Sequence, residues 1–172
     1  MQSVVVALFN EETAKELGKK ESEAGDLEFF HRTHLERLIT FIYPKAFPQK
    51  IQALLSALHL SNVVVLEINS ISRELGEIIL AINALKKQKG FLVIGESIDQ
   101  SILQKIIVGT VVEKFKQISR EEILNETATI EIEIHAGESI ADLDAMFPVK
   151  GIGTIALGFV KQGTIKKFQN LK

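Results

Sequence analysis

The sequence predicts an α/β fold, a mostly parallel sheet covered by helices in three layers, followed by a shorter segment made only of strands. Three observations predict it. Short β-branched apolar runs, such as residues 4–9 and 62–68, read as strands buried on both faces. They alternate with stretches whose apolar residues recur at three-and-four spacing, the pattern of helices in right-handed crossovers. From residue 127 the pattern changes to strict alternation and then to apolar runs punctuated by glycine.

Taken in order, residues 4–9 are the expected central strand. Residues 10–20 are polar, with Ala14 and Leu17 the only apolar residues at helical spacing, and the ESEAGD that follows reads as a loop. Residues 27–30 and 38–43 read as an antiparallel hairpin joined by the polar HRTHLER, a connection longer than the tightest kind, with Pro44 and Pro48 ending its second strand. Residues 50–60 set Ile51, Leu54, Leu55 and Leu58 on one helix face. After the strand at 62–68, residues 73–87 repeat the helical pattern through Leu75, Ile78, Ile79, Ile82 and Leu85, with Gly90 available for the cap. A strand at 91–94 and a short helix at 101–108 follow, while 111–118 is ambiguous between helix and strand. The change of period divides the chain into an α/β domain, residues 1–126, and a β segment, residues 127–172, with REEILNE as a short linking helix.

Composition narrows the function classes. A chain of 172 residues accommodates one α/β domain, and the remainder is too short for a second complete one. The absence of cysteine excludes a disulfide framework, a thiolate nucleophile and Cys-ligated metal, and with near-average charge it predicts a globular cytoplasmic protein. The N-terminus lacks a basic n-region, and no apolar stretch is long enough to span a bilayer, so no membrane partner is expected. The net charge of −2 hides an asymmetry: after Asp144 there is no acidic residue, while Lys150, Lys161, Lys166, Lys167 and Lys172 fall in that tail.

The segment MFPVKGIGTIALGFVKQGTIKK resembles the start of domain II in translational GTPases of the elongation factor Tu family. Phe147, Val149, Gly151, Gly153, Thr154, Gly158, Val160, Gly163 and Thr164 fall on that family's pattern. A small barrel needs glycine where strands bend and where tight turns demand positive φ. The upstream chain resembles the G domain in order and spacing, and is most similar to archaeal SelB-like factors. The resemblance implies a P-loop-GTPase-like three-layer domain followed by the first strands of an elongation-factor-type β-barrel.

Position by position, the nucleotide motifs of that family are replaced. In the G-x4-G-K-S/T loop, Asn10 stands at the first glycine, Lys15 at the second, Glu16 at the lysine and Leu17 at the hydroxyl. Glu11, Glu12 and Glu16 would repel a triphosphate. D-x-x-G becomes Tyr43, Pro44, Lys45 and Ala46, and N-K-x-D becomes Gly95, Glu96, Ser97 and Ile98, with Asp99 one residue late. Each hydrogen bond to a charged group is worth roughly 1.5–3 kcal/mol. Losing about four would weaken a nanomolar site to tens of micromolar at best.

The expected function is therefore a non-catalytic, cofactor-free relative of the translation factors, with no catalytic residue and tRNA or the ribosome as partner. Under the resemblance, Lys150, Lys161, Lys166 and Lys167 would face RNA; without it they are the solvated face of barrel strands. Two alternatives stand beside this reading: a GTP-binding elongation factor with a divergent site, for which GTP and magnesium would be the cofactors, and a protein-interaction scaffold. Glu28, His31 and His34 could be offered as metal ligands, but the hairpin pattern does not align them, and no metal is expected. His59 reads as a helix-end residue and His135 as a strand residue. A barrel needs more strands than residues 127–172 supply, so the chain is expected to be a fragment of a longer protein that, as it stands, disorders its tail, lays those strands against the α/β domain or exchanges them in a homodimer.

Overall fold

The computed structural model describes residues 3–132, 138–163 and 165–166. The chain forms two compact units, residues 1–130 and 131–172. The first is built on a seven-stranded sheet in the order β2-β3-β4-β1-β5-β6-β7. Its strands are β1 (Ser3–Leu8), β2 (Lys19–Ala24), β3 (Leu27–His34), β4 (Arg37–Tyr43), β5 (Val63–Ile68), β6 (Gly90–Ile94) and β7 (Lys116–Gln117). From β4 across β1, β5 and β6 to β7 every pairing is parallel, whereas β2, β3 and β4 pair antiparallel.

The helices are α1 (Glu11–Leu17), α2 (Ile51–Leu60), α3 (Arg73–Ala84), α4 (Gln100–Ile107) and α5 (Ile123–Thr129). One face of the sheet packs Ala7, Val64, Leu66, Ile68 and Leu92 against α2, α3 and α4. Because successive strand residues point to opposite faces, Val6, Val65 and Val93 belong to the other face. Each fully buried Leu or Ile here contributes about 1.5–3 kcal/mol over its exposed state.

The buried face of α2 is Ala53, Leu54, Ala57 and Leu58. Ile51 and Leu55, assigned to that face by spacing, stand exposed, since the helix turns Ala53 and Ala57 inward in their place. Lys86, not Gly90, takes the left-handed backbone after α3, with φ 52. Gly90 instead opens β6, where an added Cβ would lie 2.3 Å from the buried Phe115 ring. The ambiguous stretch divides into a 3₁₀ turn at Val111–Lys114 and the two-residue β7.

Two departures lie at the antiparallel edge. The loop expected after α1 is largely the strand β2, KKESEA, exposed along almost its whole length. Its charges hide it from a propensity reading, yet they suit an edge that must not pair with other chains. Strands β3 and β4 run further toward each other than expected. His34 pairs with Arg37, so only Leu35 and Glu36 turn the chain, both at positive φ (47 and 59). That backbone matches the twist of a tight hairpin but is usually built from Asn and Gly, which is why Leu-Glu did not advertise it.

Helix α5 runs on to Thr129, across the boundary expected at 126/127, so Thr127–Thr129 is not strand. Ile130 to Ile132 carry no strand either, and residues 133–137, including His135, lie outside the described residues. The second unit contains the antiparallel hairpin β8 (Ile140–Val149) and β9 (Gly153–Gln162). Its turn places Gly151 and Gly153 at φ 84 and 112. Ile140, Leu143, Met146 and Ile152 are exposed on it.

Left-handed backbone costs a side-chain-bearing residue about 1–2 kcal/mol, and Leu35 and Glu36 are both exposed. Replacing them together, Leu35→Asn with Glu36→Gly, is expected to raise unfolding stability by about 1 kcal/mol. Urea denaturation of the two proteins measures the gain.

Candidate functional site

In an open parallel sheet, ligands bind beyond the carboxyl ends of the strands where the connections diverge to opposite sides. Here that point is β1. The chain leaves it for β2, β3 and β4 on one side, and returns through α2 to β5 on the other. The place is filled by the protein's own polar side chains.

At its centre is Glu67, the single acid in the run VVVLEI. Leu66 and Ile68 pack into the α2–α3 layer, so alternation turns Glu67 to the opposite face, toward α1. Its side chain is only 4% exposed. Thr13 Oγ1 donates to Glu67 Oε2 at 2.6 Å, and Asn10 Nδ2 and Asn69 Nδ2 donate to Oε1 at 3.3 and 3.0 Å. The guanidinium of Arg120 adds an opposite charge, with Nη1 3.9 Å from Oε1, and its Nη2 donates to Glu16 at 2.9 Å. A buried carboxylate left unpaired costs several kcal/mol, and these donors offset that cost.

The positions matched to nucleotide motifs are occupied as follows. Strand β1 ends at Leu8 and α1 begins at Glu11, so only Phe9 and Asn10 connect them. Asn10 serves as the N-cap, accepting from Thr13 N at 3.2 Å. Lys15 is exposed and bound to Glu11 at 2.5 Å, a hydrogen bond that raises its pKa. Glu16 faces Arg120, and Leu17 is buried. Tyr43 is half-buried, which pushes its phenol upward, while Ala46 accepts from Lys50 N at 2.8 Å. Gly95 donates to the Ile68 carbonyl at 2.9 Å, and a Cβ there would lie 3.0 Å from Asn69 Oδ1. Glu96 is exposed, and Ile98 packs on the core. Asp99 caps α4; its bonds from the Ser101 hydroxyl and the amides of Ser101 and Ile102 hold its carboxyl below the usual range.

Sequence reasoning named Asn10 and Glu16 but missed Glu67, Thr13, Asn69 and Arg120. The one legible signal was an acid inside an otherwise apolar buried strand; of its partners only Asn69 is a sequence neighbour, while Thr13 and Asn10 lie 54 and 57 residues away and Arg120 is on a different loop, so none of these three carried a local signal.

The histidines near Glu28 serve other ends. His31 meets Thr40 at 3.1 Å and His34 meets Asn125 at 2.6 Å, while Glu28 accepts from Lys20 at 2.6 Å. Among the described residues no group of three or more His, Cys, Asp or Glu is placed to hold a metal, and no helix is long and apolar enough to cross a membrane. Of the tail lysines, Lys150 is exposed at the β8–β9 turn and Lys166 is exposed beyond β9. The side chain of Lys161 and all of Lys167 lie outside the described residues. At about 3.3 Å per strand residue, the backbone of Lys150 sits roughly 26 Å along the hairpin from that of Lys161.

The strand order, the crossovers and the divergence point at β1 define a P-loop-GTPase-like domain. The chain's particular likeness is to SelB. It matches the translation elongation factor SelB of Methanococcus maripaludis, solved with the GTP analogue GPPNHP, with TM-score 0.70 and 17% identity over 95% of this chain and 42% of that one. A bacterial selenocysteine-specific elongation factor, EF-Sec, matches with TM-score 0.70 and 14% identity over 95% and 35%. The apo form of the same SelB matches with TM-score 0.59 and 16% identity over 95% and 44%. In sequence, an uncharacterized protein of Methanocaldococcus jannaschii is 29% identical over all of this chain and 57% of its own length. The chain thus spans a little over half of that curated relative. No family model matches it.

Thr13→Val removes the 2.6 Å donor to Glu67 without changing volume, and is expected to cost about 1.5–3 kcal/mol of unfolding stability. In a double-mutant cycle with Glu67→Gln, a coupling above about 1 kcal/mol is expected. Coupling near zero would mean that the bond contributes nothing.

Proposed function

We propose that this protein is a translation-factor-like binding module that works without guanine nucleotide, its α/β unit serving as a scaffold and its second unit carrying the contact to tRNA or the ribosome. The observation that carries the reading is the Glu67 cluster. Where a nucleotide-binding domain of this fold would offer amides, a lysine and a magnesium ligand, this chain holds a carboxylate, with Glu11, Glu12 and Glu16 on the adjoining helix. A triphosphate brought there would meet like charge and no glycine-rich loop. The likeness to SelB and EF-Sec supports a role in translation. The absence of acids after Asp144 supports contact with a phosphate backbone.

Calorimetric titration with GTP or GDP and magnesium is expected to give no binding at micromolar concentration. A submicromolar Kd would instead establish a divergent but working nucleotide site.

For RNA, affinity for tRNA is expected to fall steeply with salt, because binding releases condensed counterions. Replacing Lys161, Lys166 and Lys167 with Glu should weaken it for every tRNA tested and flatten the salt slope. An unchanged affinity would place the contact elsewhere on the molecule.

A further inference from the structure

We propose that the Glu67 cluster is an internal lock, which holds α1 and the loop after β7 against the sheet in one conformation and so replaces a ligand as the ordering agent. This inference rests on the reading that no nucleotide occupies the same place. In nucleotide-dependent switches, segments around the phosphates are ordered by contacts to the ligand and released when those are lost. Here the contacts come from within the chain.

The elements concerned have little else to hold them. Helix α1 has seven residues and buries only Thr13, Ala14 and Leu17, and so short a helix is marginal unless it is docked. Strand β7 has two residues, and the loop beyond it is held by the buried Ile118, whose N donates to the Leu92 carbonyl at 2.9 Å, but by no other apolar side chain before Ile123. Glu67 lies between them on β5. It takes Asn10 and Thr13 from the start of α1, and Arg120 from the loop, while Arg120 also reaches Glu16 on α1.

The lock has an inner and an outer part. Thr13 and Asn10 form the inner part, with direct bonds to a buried carboxylate. Arg120 is the outer bar. It is partly exposed, its approach to Glu67 is too long for a hydrogen bond, and its Nε is buried with no partner among the described residues. A buried donor without a partner marks a position that is held against its own preference. Arg120 is therefore the first member to let go, freeing the loop before the helix.

Hydrogen exchange followed residue by residue, without nucleotide, tests the lock, and in the parent protein residues 118–122 should exchange faster than Ala14 and Gly18, the reverse order overturning the early release of Arg120. Arg120→Ala should speed exchange across residues 118–122 about tenfold or more, and Thr13→Val should do the same for the amides of Ala14 in α1 and of its C-cap Gly18. The amides of β5 should stay within about twofold of the parent, which shows that the fold is intact. Should Thr13→Val fail to fold, Glu67→Gln keeps the shape, removes the charge and should loosen both segments. If α1 and the loop exchange as in the parent in these variants, the lock is overturned while the nucleotide-independent reading survives. If GTP with magnesium slows exchange in the parent protein, that reading fails, and the lock with it.

Discussion

A parallel sheet buried on both faces has no inexpensive place for a charge, and this one carries a carboxylate within β5. Desolvating an ion is costly, and only a complete set of donors makes it tolerable. Much of the arrangement around β1 follows from that requirement. Asn10 ends the β1–α1 connection with its amide on Glu67 and its carbonyl oxygen capping the helix. Thr13 is fully buried because its hydroxyl is needed there, and Asn69 supports the same oxygen that Asn10 does. Close packing of Gly95 against Asn69 carries the constraint to the end of β6.

The antiparallel side of the sheet is stabilised by a different means. Strand β2 has few apolar side chains to bury, and is tied in by charge. Glu23 accepts from Lys45 and from Lys20, which together hold its carboxyl down to about 2, and Lys20 also reaches Glu28 at 2.6 Å. Apart from the buried Glu28, these groups are exposed, so solvent and salt screen them and their contribution to stability is small. Their larger effect is on pairing, because a charged edge strand discourages addition of a further strand. The two ends of the unit therefore divide the work, with ionic pairs guarding the edge and apolar packing forming the interior.

Set beside the SelB domain of the same fold, the chain shows how much of an architecture survives sequence divergence. Strand order, crossovers and the divergence at β1 are kept at 17% identity to SelB, because they depend on apolar periodicity, which many sequences satisfy. The chemistry at the strand ends depends on a few particular side chains, and here those are Asn10, Thr13, Glu67 and Arg120.

Local chemistry determined the alternation of strands and helices, the buried β1, β5 and β6 with β1 as the central strand, and the glycine-punctuated strands of the second unit, since all of these lie in the spacing of neighbouring residues. Tertiary structure decided what spacing cannot express. Strand β2 exists because β3 offers it an edge, not because KKESEA favours extension. The Leu35–Glu36 turn is imposed by the register of two paired strands. Helix α5 overrides the alternating pattern at Thr127 because Ile123 and Ala128 have core to bury against, and Arg37 binds the carbonyls of Ala128 and Ile130 at its end. The Glu67 cluster depended on tertiary structure most of all, because its members come from three separated segments, the start of α1, the end of β5 and the loop after β7. A hydrogen bond between residues more than fifty positions apart leaves no trace in sequence until the fold has brought them together.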